Sequence, residues 1–121
     1  MALDDGGALV DDLLELVGDD LRVVATYDPE GYDALYVADG VAGHLKHQAD
    51  RVHDELVLQG LGRGHLEDLF DAGDLHCSMH RFDDLTAFHF ASEEFAGLFV
   101  SLASDADVPL ASFAETCERH L

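Results

Sequence analysis

The stretch HCSMHRFDDLTAFHF, residues 76–90, has the pattern of a β-hairpin, and we predict the rest of the fold outward from it. In the two runs on either side of Asp83-Asp84, successive side chains point alternately to the two faces of a strand, and we place a tight turn at these two residues. The alternation predicts an apolar face made of Cys77, Met79, Phe88 and Phe90. It predicts an opposite, histidine-rich face made of His76, Ser78, His80, Ala87 and His89. We expect the apolar face to lie in the core.

A tight turn between the two strands sets their register, with Ser78 opposite His89. His89 is then the diagonal neighbour of both His76 and His80, at Cβ separations of about 7 Å. Three imidazoles at this spacing could converge on one zinc, nickel or copper ion, since Zn–N bonds are about 2.0–2.1 Å long. The alternative is that these histidines are exposed on the hairpin or lie in a dimer interface.

Upstream of the hairpin, hydrophobic periodicity predicts two helices and another hairpin. Apolar residues recur at helical spacing from Ala8 to Val17, and two β-rich runs lie on either side of a Pro-Gly turn between Leu21 and Val37. An amphipathic helix follows from Val41 to about Gln59, and we expect the glycines of GLGRG, residues 60–64, to end it. The segment HLEDLFDAG, residues 65–73, then predicts a short helical turn.

Downstream of the hairpin, GLFVSLA at residues 97–103 predicts a third strand of this group. Pro109 opens a last helix whose apolar stripe includes Phe113 and Cys117. The element order is α-β-β-α-β-β-β-α. It predicts one α+β domain over residues 1–121, a two-layer structure with three helices on a five-stranded antiparallel sheet.

The charge balance is strongly acidic, with 26 Asp and Glu residues against 6 Lys and Arg residues and a formal net charge of −20. Acidic pairs are spread along the chain, which favours adaptation of the whole surface to a salt-rich cytoplasm, because molar salt shrinks the screening length to about 3 Å. The scattered arginines form no basic stripe, so the composition disfavours nucleic-acid binding. No apolar run is long enough for a membrane span, and we expect a soluble, cytoplasmic protein.

Catalytic signatures are absent from the sequence: it has no GxSxG, no HExxH and no nucleophile–base pair. Cys77 and Cys117 lack metal-finger spacing, and we interpret both as buried thiols in the core. His44 with His47 and the pair Glu93-Glu94 are weaker site candidates. Enzymatic activity stays open only through acid–base pairs from distant segments, which a single sequence does not reveal.

The element order and the length resemble the roadblock/dynein light chain module, a relative of the profilin-like folds, over nearly the whole chain. Two stretches, GDDLRVVATYDPEGYDALYVADG at 18–40 and AGDLHCSMHRFDDLTAFHF at 72–90, are also similar to small haloarchaeal proteins of uncharacterised function. The roadblock resemblance implies a non-enzymatic platform. It also implies homodimers that dock a small GTPase or another regulatory protein. We expect no cofactor, unless zinc or nickel binds at the histidine-rich face.

Overall fold

The computed structural model describes residues 6–40, 42–93 and 96–120. The elements are α1 (Gly6–Val17), a 3-10 turn (Gly18–Asp20), β1 (Leu21–Asp28), β2 (Gly31–Val37), α2 (Ala42–Phe70), β3 (Cys77–Arg81), β4 (Leu85–Glu93), β5 (Ala96–Ala103) and α3 (Leu110–Glu118). The side chains of His44, His47 and Glu93-Glu94 lie outside the described residues. Within the described part of the chain, no helix is long and apolar enough to cross a membrane.

The five strands form one antiparallel sheet in the order β2-β1-β5-β4-β3, which confirms the α+β class and the five-stranded sheet. The register of the second hairpin is also confirmed, because Ser78 pairs with His89. Its turn is closed by a hydrogen bond of 2.8 Å from the Phe82 N–H to the Leu85 carbonyl. Only two residues, Asp83 and Asp84, lie between these two positions, as the alternation required.

Helices cover both faces of this sheet, so the fold has three layers where the sequence analysis predicted two. Leu9 of α1 and Phe113 of α3 belong to the core on one face, together with Val24 of β1. On the other face, Leu56 of α2 lies over β1 and β5 and shares a small apolar cavity with Val23. Val23 and Val24 point to opposite faces and are both buried, and a sheet with two apolar faces needs a helix on each.

Helix α2 is longer than predicted, because it continues through the glycines at 60, 62 and 64 to Phe70. A glycine inside a helix costs about 1 kcal/mol relative to alanine, which local interactions beyond it can offset. Arg63 and Glu67 form an ion pair of 3.3 Å at i,i+4 spacing. The Glu67 carboxylate also accepts a hydrogen bond of 2.7 Å from the Leu75 N–H. The helix ends where Asp71 adopts a left-handed φ of 50°.

The larger core lies between the sheet and helices α1 and α3. Phe88 and Phe113 meet there with ring centroids 4.5 Å apart. Cys117 is fully buried in this core, as predicted. On the predicted apolar face of the hairpin, Phe88 and Phe90 are buried and Cys77 is half-buried against the core, whereas Met79 is 43% exposed, contrary to the prediction. The histidine-rich face of the hairpin therefore lies on the α2 side of the sheet.

Candidate functional site

His89 is buried between the sheet and α2, with 6% of its surface exposed, and both of its ring nitrogens have hydrogen-bond partners. Its Nε2 bonds the hydroxyl of Tyr27 on β1, while its Nδ1 lies 3.0 Å from Oε1 of Gln59 on α2. The side-chain oxygen of Gln59 only accepts, so Nδ1 carries the proton and Nε2 accepts from the Tyr27 hydroxyl. Three residues from three elements thus form one buried polar cluster.

Burial keeps this cluster neutral. Burial lowers the pKa of His89 to about 4, with a smaller contribution from the nearby His80. It also raises the pKa of Tyr27 to about 12, against the opposing influence of Arg63. At neutral pH the imidazole and the phenol are both uncharged and both hydrogen-bonded. The cluster is therefore suited to fixing α2 on the sheet rather than to moving protons.

Tyr27 and Gln59 were not predicted as partners of His89. The alternation along β1 places Tyr27 on the same face as Val23, which was a usable signal for one of them. Gln59 had no such signal, because it was expected at the end of a helix whose position over the sheet was unknown. Its role depends on the packing of α2 and on no local pattern.

The other two predicted metal ligands are exposed. His76 and His80 lie at the surface, and together with His89 and His65 of α2 they line one cavity of about 360 Å³. The structure therefore brings His76, His80 and His89 to one cavity, as expected from the predicted strand register. Among the described residues, however, no group of three or more His, Cys, Asp or Glu side chains is placed to hold a metal ion. His89 already engages both ring nitrogens.

The two thiols are not disposed toward nucleophilic chemistry. Burial raises the pKa of Cys77 to about 11, with a smaller contribution from Glu118. Burial raises the pKa of Cys117 to about 12, with smaller contributions from Cys77 and Glu118. A reactive cysteine needs a lowered pKa and access to solvent, so both residues are better described as core thiols.

A larger groove of about 880 Å³ lies between α2 and the second hairpin. Its apolar walls come from α2, from the second hairpin and from the neighbouring strand β5: Val52, Leu56, Phe82, Ala87 and Phe99. Phe82 stands at the open side with 59% of its surface exposed. We call this cavity the α2–hairpin groove. The sequence did not predict it, since its two walls are formed by segments that meet only in the folded chain.

The second half of α2 exposes four large apolar side chains, between 41 and 73% exposed: Leu58, Leu66, Leu69 and Phe70. At about 100° per residue, these four positions fall within about 120° of the helix circumference. We call them the α2 stripe. Four large exposed apolar side chains on one side of a helix are typical of an interaction site, whereas single exposed apolar residues need no explanation.

Comparisons with known proteins support this fold. No curated protein matches the chain. The structure is similar to the crystal structure of a roadblock/LC7 domain from Streptomyces avermitilis, with a TM-score of 0.62 and 18% sequence identity. The similarity covers 93% of this chain and 88% of that domain, and it confirms the roadblock-like topology. Residues 7–121 match a domain of unknown function, DUF7522, and the chain therefore belongs to the DUF7522 family.

Proposed function

We propose that this protein is a non-enzymatic protein-interaction module that forms homodimers through the α2 stripe. The observation that carries the proposal is the exposure of the stripe residues Leu58, Leu66, Leu69 and Phe70 on one side of one helix. A chain with a net charge of −20 has strong repulsion working against accidental association. An apolar stripe on such a surface is best explained by a partner that covers it.

The dimensions of α2 add support. Its 29 residues make a helix about 43 Å long. The sheet beneath it has strands of at most nine residues, about 30 Å long, and five strands span only about 20–25 Å. Part of α2 must therefore extend past the sheet. Two copies related by a two-fold axis could cover each other's stripes, because an isologous contact buries the same patch twice.

The homodimer is tested by placing a charge in the stripe. Leu69→Glu is expected to convert a dimer into a monomer, because it would bury an unpaired carboxylate in an apolar contact. The measurement is the molar mass by light scattering in molar KCl, at several protein concentrations. Leu110→Glu on α3 is the matched control, since Leu110 is 52% exposed on the opposite face of the sheet. A monomeric wild type under these conditions would contradict the proposal.

Regulatory partners belong to the same proposal. A roadblock-like topology supports a docking role, and a small GTPase or a comparable regulator is the partner class that we infer from it. The acidic surface supports action in a salt-rich cytoplasm.

Metal binding stays a prediction, and one observation keeps it worth testing: His65, His76, His80 and His89 line the same cavity. If zinc or nickel binds there, His89→Ala is expected to abolish binding, while Cys77→Ala on the other face leaves binding intact. Elemental mass spectrometry of protein purified without chelator, and again after added zinc or nickel, measures the metal content. Equal loss in both variants would overturn the face assignment, and metal-free protein in both preparations would leave these histidines structural.

A further inference from the structure

We propose that the α2–hairpin groove binds a segment of a partner protein that presents apolar side chains flanked by lysine or arginine. This inference rests on the proposed interaction function and names the chemistry of the partner. The volume of about 880 Å³ lies near the upper end of the roughly 300–1,000 Å³ range of ligand pockets, which leaves room for several side chains of a peptide.

The walls of the groove favour apolar side chains. Leu56 and Ala87 are buried and form its inner surface, while Val52 and Phe99 are partly buried beside them. Phe82 stands at the hairpin turn and is more than half exposed, so that a large aromatic side chain is left without full cover. A partner's leucine or isoleucine would bury this surface at about 25 cal/mol per Å² of apolar area.

The rim of the groove favours cations. It carries three exposed carboxylates, Glu55, Asp83 and Asp84, against a single arginine, Arg51. Within the described residues, these three carboxylates form no ion pair or side-chain hydrogen bond. A lysine or arginine on each side of the apolar residues would supply the missing partners, and complementary charge selects among partners more than it adds affinity.

A second copy of this chain is a poorer occupant of the groove. The chain has only six Lys and Arg residues in total, and a copy would bring further carboxylates to an acidic rim. Three of the four stripe residues, Leu66, Leu69 and Phe70, lie beyond the part of α2 that lines the groove, which is residues 51–59, and the fourth, Leu58, does not line the groove. Homodimerisation and partner binding therefore use different parts of α2.

The test uses the full chain and three synthetic peptides. The first has two central leucines flanked by lysines, the second replaces the lysines with glutamates, and the third replaces the leucines with serines. Fluorescence anisotropy at an ionic strength of about 0.15 M, where the screening length is about 8 Å and ion pairs in contact persist, is expected to show saturable binding of the first peptide only. Phe82→Ser, a change at an exposed position, is expected to weaken this binding at least about tenfold.

Charge variants distinguish an effect of the carboxylates at the rim of the groove from an effect of the net negative charge of the whole protein. The triple variant Glu55→Gln, Asp83→Asn and Asp84→Asn is expected to weaken binding of the lysine–leucine peptide by about tenfold or more. The control variant, Asp11→Asn, Glu15→Gln and Asp19→Asn, removes the same charge from exposed sites at or near α1 and is expected to bind as the wild type does. Equal losses in the two variants, or equal binding of the glutamate peptide, would overturn the proposal.

The same samples distinguish this proposal from the homodimer. A dimeric protein by light scattering that binds none of the three peptides would overturn the groove assignment and leave the dimer standing. Leu69→Glu, which is expected to give monomers, is expected to keep the affinity for the lysine–leucine peptide, since Leu69 does not line the groove. Loss of peptide binding in that variant would contradict the separation of the two surfaces.

Discussion

Gly97→Ala is expected to destabilise the fold by about 3 kcal/mol or more, because the added methyl group has no space. Gly97 pairs with Tyr27 on one side and with Ala91 on the other, in the middle of the sheet. A Cβ atom at this position would overlap the carbonyl oxygen of Phe90 and lie 3.1 Å from the Cα of Ala91. Both obstacles are backbone atoms, which cannot move aside as the end of a flexible side chain can.

The close approach has a local cause. The pairing of β4 with β5 shifts between Ala91 and Glu93, which marks a β-bulge beside Gly97. Bulges bend the strand and bring backbones together, and glycine is the residue that tolerates this. Gly97 is therefore needed for packing of the sheet, in contrast to the glycines of α2.

Urea denaturation in molar KCl, followed by circular dichroism, measures the effect. Gly64→Ala is the matched control, because a Cβ at that helical position would meet no atom within 4 Å and the position lies outside the α2 stripe. It is expected to stabilise the protein by about 1 kcal/mol through helix propensity. If Gly97→Ala unfolds at the wild-type urea concentration, the backbone contact described above is wrong.

The second hairpin could be predicted in register because the information is local. Side-chain alternation and the length of the turn together specify that Ser78 faces His89, and neither depends on the rest of the chain. The first hairpin, from Leu21 to Val37, was predictable for the same reason. Its Pro-Gly turn and its β-branched residues lie within one short segment.

The number of layers in the fold and the burial of His89 could not be predicted from local patterns. The alternation of side chains along a strand predicts the face of the sheet on which each side chain lies. It does not predict which helix covers that face. The near-continuous apolar run of β5 was a signal that both faces are covered, since Leu98, Phe99 and Val100 cannot share one face. The end of α2 was predicted too early, because the low helix propensity of glycine indicated a stop. The Arg63–Glu67 ion pair and the hydrogen bond from the Leu75 N–H to Glu67, which offset that low propensity, have no signal in the local sequence pattern.

His89 is expected to make the fold sensitive to acid. Its pKa is about 4 in the folded chain, against 6.5 for an exposed histidine, so the unfolded chain binds more protons between these limits. The free energy of unfolding should therefore be unaffected by His89 above pH 6.5 and should fall as the pH falls toward 4. The difference of about 2.5 pKa units corresponds to about 3 kcal/mol.

Isolating this effect requires a comparison, because the many carboxylates of the chain titrate in the same range. His89→Gln cannot take up a proton, yet its amide can still accept from Tyr27 and donate to Gln59. The wild type is expected to lose about 3 kcal/mol more than this variant between pH 7 and pH 4, measured by urea denaturation at each pH. His76→Gln, at an exposed position, is the control and should follow the wild type. Parallel curves for the wild type and His89→Gln would mean that His89 takes up its proton at the same pH in the folded and the unfolded chain, and the lowered pKa of the buried imidazole would then be wrong.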